Sequence, residues 1–341
     1  MKFKKFLITG GCGFLGQHLV NDLVNEFSDL KIKILDLKPN PKPLFDFSDN
    51  PNVEVSLQKD ICDYGSIENE FMNIDLVIHL VGLISFSLKD KELLEKVNIL
   101  GTKNILKAIS SNKIKNLIHI SSVAALGYRD DKNEAINETY DYDWNIAKKR
   151  KKYYMLTKHL ADIEIENYIK EGLNAVILYP GLMFGPGDLT NSSKLIRAIK
   201  YRRIPFNMPG GTNVIDVRDV SAGIVAILRK GIYDGNYLLS GYNLTIKDVN
   251  NIIAKELGVK PPKLTLLRIL GSIMFNLVLV IESKVSRELE VAADNIDSAF
   301  KFRYFNNLKA KRELEWSPKI SFRKTINDTI KWMDENGLFE K

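Results

Sequence analysis

Short apolar runs alternate with helix-period segments along the first half of this chain. Lys5-Phe6-Leu7-Ile8-Thr9 is an apolar run that stops at a glycine cluster. Phe14 to Phe27 follows with helical spacing, so the pair reads as a buried strand feeding a helix. Lys31 to Asp36 reads as a second strand, and Pro39, Pro41 and Pro43 hold the next stretch as loop. Asn52 to Leu57 alternates as a third strand, and Ser66 to Met72 gives a short helix. Asp75 to Gly82 is a continuous apolar run, the pattern of a strand buried on both faces. Glu92 to Ser111 predicts a long helix, Asn116 to Ser122 a fifth strand, Lys148 to Lys170 a helix and Asn174 to Leu178 a sixth strand. Strands alternating with helices predict an α/β fold built on a doubly wound parallel sheet. After Pro180 glycine and proline cluster through Gly187 and the elements shorten. That change predicts a smaller, discontinuous C-terminal lobe packed on the strand ends, where ligands sit in such folds.

The glycine cluster turns this outline into chemistry. Gly10, Gly13 and Gly16 follow the first strand and open the first helix. Glycine permits the tight turn and lets backbone amides approach a pyrophosphate, while the helix N-terminus offers free N–H groups to that anion. Asp36 ends the second strand 20 residues past Gly16, where a carboxylate accepts both ribose hydroxyls of NAD and repels a 2′-phosphate. NAD is therefore the expected cofactor, with NADP left open by Lys38 nearby. The expected organisation is a Rossmann domain over 1–180 with a return segment near 212–240, and a mainly substrate-binding lobe over 181–341.

Composition adds little. An apolar content of 45% and a charged content of 27% over 341 residues are ordinary for a folded chain with one large or two medium domains. The net charge of +7 comes from basic and acidic residues that are mostly interspersed, so no nucleic-acid partner is expected. Cys12 and Cys62 give neither a disulfide framework nor metal-ligand company, which fits a reducing cytoplasm and no metal. No signal peptide precedes the glycine turn. The most apolar segment, Ile269 to Ile281, is 13 residues long, short of the roughly 20 needed to span a bilayer.

Tyr154 and Lys158 stand four apart on one helix, and therefore on one face. A free tyrosine titrates near pH 10, and a neighbouring ammonium favours the phenolate and lowers that value. Ser122, at a strand end, is placed to hydrogen-bond the same substrate oxygen while Tyr154 delivers or removes the proton.

In this order, after a glycine turn, the chain resembles an extended short-chain dehydrogenase/reductase of the NAD-dependent epimerase/dehydratase superfamily, nearly end to end. Thr9-Gly10-Gly11-Cys12-Gly13-Phe14-Leu15-Gly16 is similar to that family's opening motif. Lys59-Asp60-Ile61 resembles its adenine-contacting segment, and His79-Leu80-Val81-Gly82 its strand-four motif. Val97-Asn98-Ile99-Leu100-Gly101-Thr102 resembles its Asn-x-x-Gly-Thr helix. The resemblance implies a catalytic set of Ser122, Tyr154 and Lys158, with Asn98 supporting it through a helix kink or a proton relay. Aligned on Gly127, Ser122 rather than Ser121 takes the catalytic serine position. The resemblance makes His79 a core or supporting residue. It implies cofactor contacts from Gly10, Gly13, Phe14, Leu15, Gly16, Asp36, Asp60, Ile61, Leu80, Val81, Gly82, Tyr154 and Lys158. Pro180, Gly181 and Leu182 resemble the segment that packs on the nicotinamide, although Tyr179 stands where the family usually has arginine. It also implies a homodimer through helices of the sheet domain.

Sugar-nucleotide epimerases and dehydratases usually carry an arginine just before the strand that here reads Asn213 to Val220, to grip substrate phosphates. This chain has Gly210-Gly211-Thr212-Asn213. The stretch and the C-terminal tail instead resemble dihydroflavonol-4-reductase-like and 3β-hydroxysteroid-dehydrogenase-like members. The expected activity is interconversion of a secondary alcohol and a ketone on a small lipophilic substrate. The alternatives are a sugar-nucleotide epimerase or dehydratase with tightly bound NAD, and a non-catalytic NAD-binding regulator. Two segments stand outside this scheme. Lys148-Lys149-Arg150-Lys151-Lys152 is expected to be a solvated helix start, and Ile269 to Ile281 a core helix or pocket wall in preference to a membrane-surface contact.

Overall fold

The computed structural model describes residues 3–285, 289 and 291–339. Its strands are β1 (Lys5–Thr9), β2 (Lys31–Leu35), β3 (Val53–Ser56), β4 (Leu76–His79), β5 (Asn116–Ile120), β6 (Asn174–Pro180), β7 (Leu182–Phe184), β8 (Phe206–Asn207), β9 (Gly211–Asp216), β10 (Gly235–Leu239), β11 (Tyr242–Thr245) and β12 (Leu264–Thr265). Its α-helices are α1 (Phe14–Glu26), α2 (Tyr64–Ile67), α3 (Lys91–Leu94), α4 (Thr102–Ser111), α5 (Trp144–Lys149), α6 (Tyr153–Lys170), α7 (Ser192–Lys200), α8 (Val217–Lys230), α9 (Ile246–Glu256), α10 (Leu270–Lys284), α11 (Ala293–Ala299), α12 (Leu308–Glu313) and α13 (Phe322–Glu335).

Seven strands form one parallel sheet in the order β3-β2-β1-β4-β5-β6-β10, with β1 and β4 at its centre. The continuous apolar runs of β1 and β4 follow from burial on both faces. Phe6 and Ile8 enter the core shared with Leu19 and Leu23 of α1 and Ile224 and Ile227 of α8, while Leu7 enters the opposite core with Ile105 and Ile109 of α4 and Ile165 of α6. A third core gathers Phe184, Ile196, Ile253, Phe322 and Trp332 under the three-stranded sheet β11-β9-β7. The chain therefore leaves the large sheet after β6, starts the small one with β7 and β9, returns through α8 and β10, and completes the small sheet with β11. Gly231, at φ 65°, ends α8 in the left-handed conformation that makes this return possible.

Two expectations fail. The helix expected over Lys148 to Lys170 is two helices, broken at Arg150–Lys152 with Lys151 at φ 53°. The basic run is solvated only in part: Lys148, Lys149 and Lys151 are exposed as expected, but its end turns inward. Lys152 is 0% exposed, and its Nζ contacts Asp294, Asp297 Oδ2 at 2.8 Å and Ser298 Oγ at 3.3 Å. Arg150 pairs with Asp297 at 2.5 Å. The break exists because two carboxylates from distant α11 draw the lysine inward, which local sequence does not encode. Nor is the apolar segment a core helix. Of α10 only Gly271, Phe275 and Glu282 are buried, whereas Ile273 is 62% and Leu277 59% exposed.

Candidate active site

The loops at the C-terminal ends of β1, β2, β4, β5 and β6 converge on one edge of the sheet. After β1, Gly10 sits at φ 75° and donates its N–H to Leu35 O at 2.8 Å, tying the turn to β2. A Cβ on Gly16 would lie 2.3 Å from Gly10 O, so only glycine lets α1 start this close to the turn. The amides in this turn and the first turn of α1 form a cradle that side chains would fill. Asp36 lies across its mouth, its carboxylate accepting from Cys12 N at 3.0 Å and Leu37 N at 2.8 Å. Burial raises its pKa, opposed by those two amides. Phe14 faces the loop after β7, against Gly185 and Gly187, and Leu15 is buried beneath.

The remaining expected cofactor residues line the same edge. The Cβ position of Gly10 lies 3.2 Å from Val81 N, so the loop after β4, carrying Leu80, Val81 and Gly82, abuts the glycine turn. Ile61 packs directly on Gly101, while Asp60 turns one oxygen to Cys62 N at 2.9 Å and shapes its own loop. After β6, Pro180 is buried and Gly181 presses against Asn213, which also accepts from Gly241 N at 2.9 Å. Asn213 thus serves as a buried link between β6, β9 and the loop after β10. Leu182 is exposed beside them.

The helix expected over Glu92 to Ser111 contains a π-helical stretch, Glu95–Gly101, with Asn98 inside it. Asn98 Oδ1 accepts from Leu83 N at 2.8 Å, and its Nδ2 donates to Leu83 O and to Thr157 Oγ1, both at 3.1 Å. It clamps the loop after β4 to the middle of α6. The irregular turn aims this amide inward, as such bulges do at functional sites.

Ser122, Tyr154 and Lys158 come together at the end of β5. Ser122 caps the short helix Val123–Leu126, its Oγ accepting from Ala124 N at 3.1 Å, and its side chain lies beside Tyr154. Ser121 points elsewhere, donating to Asp162 Oδ2 at 2.9 Å. The backbone therefore aims the two serines at different partners. Gly127 itself, at φ 78°, has the Tyr142 ring packed where a Cβ would be. Lys158 Nζ donates to Ile120 O at 3.0 Å and faces Gly82. Phe86 meets the Tyr154 ring edge-on at 5.8 Å between centroids.

The electrostatics differ from the simple expectation. Burial raises the pKa of Tyr154, and the lowering influences are the Ser122 hydrogen bond and the charge of Arg303, not Lys158. Burial depresses the Lys158 ammonium, and the Asp162 carboxylate opposes that effect. Burial raises Asp162 in turn, against Lys158 and hydrogen bonds from Ser121 and Tyr179. Tyr179, at the arginine position of the family, supplies a neutral hydroxyl to this buried carboxylate. His79 bridges Thr9 Oγ1 at 2.7 Å and Thr102 Oγ1 at 3.3 Å, and burial lowers its pKa to about 3, so it is a neutral core residue.

Four residues of this site escaped the sequence reading. Thr157 and Asp162 were within reach of it, since Asp162 is one helical turn past Lys158 on the buried face. Phe86 and Arg303 carried no local signal. Among the described residues no cluster of three or more His, Cys, Asp or Glu side chains is placed to hold a metal.

A central parallel sheet, a glycine turn facing an acidic strand end, and a serine–tyrosine–lysine cluster define the extended short-chain dehydrogenase/reductase class of NAD-dependent enzymes. The sequence profile of the 3-beta hydroxysteroid dehydrogenase/isomerase family matches residues 7–230, and the chain belongs to that family. It is 26% identical to a putative dihydroflavonol 4-reductase of Synechocystis over 97% of this chain and 95% of that protein. It is also 26% identical to a decarboxylating sterol-4-alpha-carboxylate 3-dehydrogenase of Candida albicans, over 97% of each. The fold superposes on DesIV, a dTDP-glucose 4,6-dehydratase of Streptomyces venezuelae solved with NAD and TYD bound, with a TM-score of 0.77. The superposition covers 98% of this chain and 99% of that one at 20% identity.

Proposed function

We propose that this enzyme interconverts a secondary alcohol and a ketone on a lipophilic small molecule, with NAD as the redox partner. The observation that carries the reading is the placing of Ser122, at the end of β5, beside Tyr154, with Lys158 one turn further along the same helix and its Nζ held by Ile120 O at 3.0 Å. The glycine cradle and Asp36 fit a dinucleotide whose adenosine ribose is unphosphorylated. When bound, NAD supplies a hydride acceptor or donor. Tyr154 holds the proton that moves on or off the substrate oxygen, and Ser122 orients that oxygen by hydrogen bonding. Lys158 contributes positive charge beneath both, held in place by Ile120 O. Asn98 keeps the loop after β4 in register with α6. The relatives named for a dihydroflavonol and for a sterol-4-alpha-carboxylate support a lipophilic substrate, as does Asn213 standing as a buried structural link in the stretch where a phosphate-gripping arginine would be expected.

The purified chain should produce a net change in nicotinamide absorbance with hydroxysteroids or flavanone-type ketones. Conversion of a UDP- or TDP-sugar without net absorbance change would overturn the reading. One observation favours that second reading: the positive charge of Arg303 is felt at Tyr154 and would favour an anionic group nearby. Isothermal titration with both substrate classes separates the two. A homodimer through the outer face of α6 and of the π-helical stretch that leads into α4, where Leu160 and Leu100 are exposed, completes the proposal and is checked by sedimentation.

Cofactor choice gives a further expected result. Hydrogen bonds to a charged group contribute about 1.5–3 kcal/mol, so Asp36→Ala should weaken NAD binding by roughly tenfold or more. NADP binding should improve or stay constant in the same titration. An unchanged NAD affinity would remove Asp36 from the ribose site.

A further inference from the structure

Among the described residues, the apolar stripe of α10 has no covering partner. Ile269, Ile273 and Leu277 follow one another at steps of four, with Val280 and Ile281 three and four residues further on, and the five are 76%, 62%, 59%, 51% and 41% exposed. The opposite face seats the helix through Gly271 against Phe300, Phe275 against Arg150, and Glu282. The stripe continues through Leu267 and Leu264, 70% and 66% exposed, and β12 pairs Leu264 with the exposed Phe206 of β8. Contiguous exposed apolar surface of this kind marks an interaction site.

The unpaired charges around it among the described residues are basic, Arg268 being held by Asp130 at 2.7 Å. Between residues 260 and 285 the basic residues are Lys260, Lys263, Arg268 and Lys284. The only acid there is Glu282, buried and turned inward to accept from Leu88 N at 2.8 Å and Ala293 N at 3.0 Å. Beside Leu264 opens a cleft of about 440 Å³ lined by Arg202, Lys260 and Lys263 together with apolar side chains. An apolar face with cations at both ends fits a membrane surface bearing anionic headgroups. No described helix is long and apolar enough to cross a bilayer, so α10 would lie in the interface.

We propose that the α10 stripe, with the segment Lys263–Ile269 and the basic cleft beside it, is a docking surface for an anionic lipid bilayer. A second copy of the chain is the competing occupant, but two such faces would bring Arg202, Lys260, Lys263 and Lys284 of each together, which an anionic headgroup layer would instead neutralise. The site is also tied to the chemistry. Glu282 holds the backbone of Leu88, two residues from Phe86, whose ring rests on Tyr154.

The test is flotation of the full chain with vesicles of phosphatidylcholine alone and of roughly three parts phosphatidylcholine to one part phosphatidylserine, at salt of about 0.15 M. Wild type should bind the anionic vesicles preferentially. Ile273→Asp with Leu277→Asp should weaken that binding by at least about tenfold. Lys263→Glu with Lys284→Glu should abolish the preference for phosphatidylserine. The milder pair Ile273→Ser and Leu277→Ser reads the same effect if the aspartates disturb folding, and NAD titration checks that each variant is intact. Absence of wild-type binding, or unchanged binding in the apolar variants, would overturn the proposal. So would a dimer that these substitutions split with no vesicle effect. Binding is read without turnover, so its failure and the failure of the proposed reaction are distinguishable.

Discussion

Tyr154→Phe should fold, bind NAD with near-unchanged affinity, and lose turnover by about 10²–10⁴-fold. The substitution removes one oxygen. The phenyl ring keeps its packing against Phe86 and its place in the small core with Leu94, Ala124 and Met155. What disappears is the hydroxyl beside Ser122 that is proposed to exchange the proton with the substrate oxygen. Loss of one hydrogen bond costs about 1 kcal/mol of stability, too little to unfold a domain of this size. The signature is therefore a fall in kcat with an almost unmoved melting temperature and NAD affinity. Stopped-flow and steady-state kinetics on any substrate found by absorbance screening provide the measurement. Activity within a few-fold of wild type would remove Tyr154 from the chemistry.

The second large effect falls on stability. Lys152→Met keeps a chain of similar length and deletes a cation that lies fully buried between Asp294 and Asp297. Burial alone would depress the lysine, and the two carboxylates outweigh it and hold its pKa above the ordinary value. Removing one partner of a buried ion pair costs about 3–5 kcal/mol, because the remaining charge has lost its compensation. Arg150 reaches only Asp297, so Asp294 would be left with Ser298 alone. Denaturant unfolding should show the loss directly. Adding Asp294→Asn should restore part of it. A change under about 1 kcal/mol would mean that water or rearrangement reaches this pocket.

Much of this architecture was legible because its causes are local. β1 and β4 are apolar on both faces since helices cover both sides of the sheet, and the glycine turn carries its geometry in its own spacing. The pairing of Ser122 with Tyr154 was legible for a different reason: both lie at fixed offsets from elements whose periodicity is clear. The illegible parts have distant causes. The break before Tyr153 depends on carboxylates more than 140 residues away. The exposure of α10 cannot be read from its composition, because an apolar helix looks the same whether a core or a bilayer receives it. Arg303 reaches the site only because β9 seats its segment, through Arg303 N bonding Gly211 O at 3.1 Å.

The Lys152 pocket also bears on how the chain is made. On the ribosome, α5 and α6 emerge long before α11, so the lysine preceding Tyr153 and Tyr154 has no counter-charge while it waits. Until Asp294 and Asp297 leave the exit tunnel, burying that ammonium is unfavourable, and the segment carrying the tyrosine stays solvated. Trp316 repeats the pattern, donating to Asp219 O at 2.9 Å from a later part of the chain. Nascent chains stalled before residue 294 should therefore show protease-sensitive α5–α6 junctions that become protected once α11 has been synthesised.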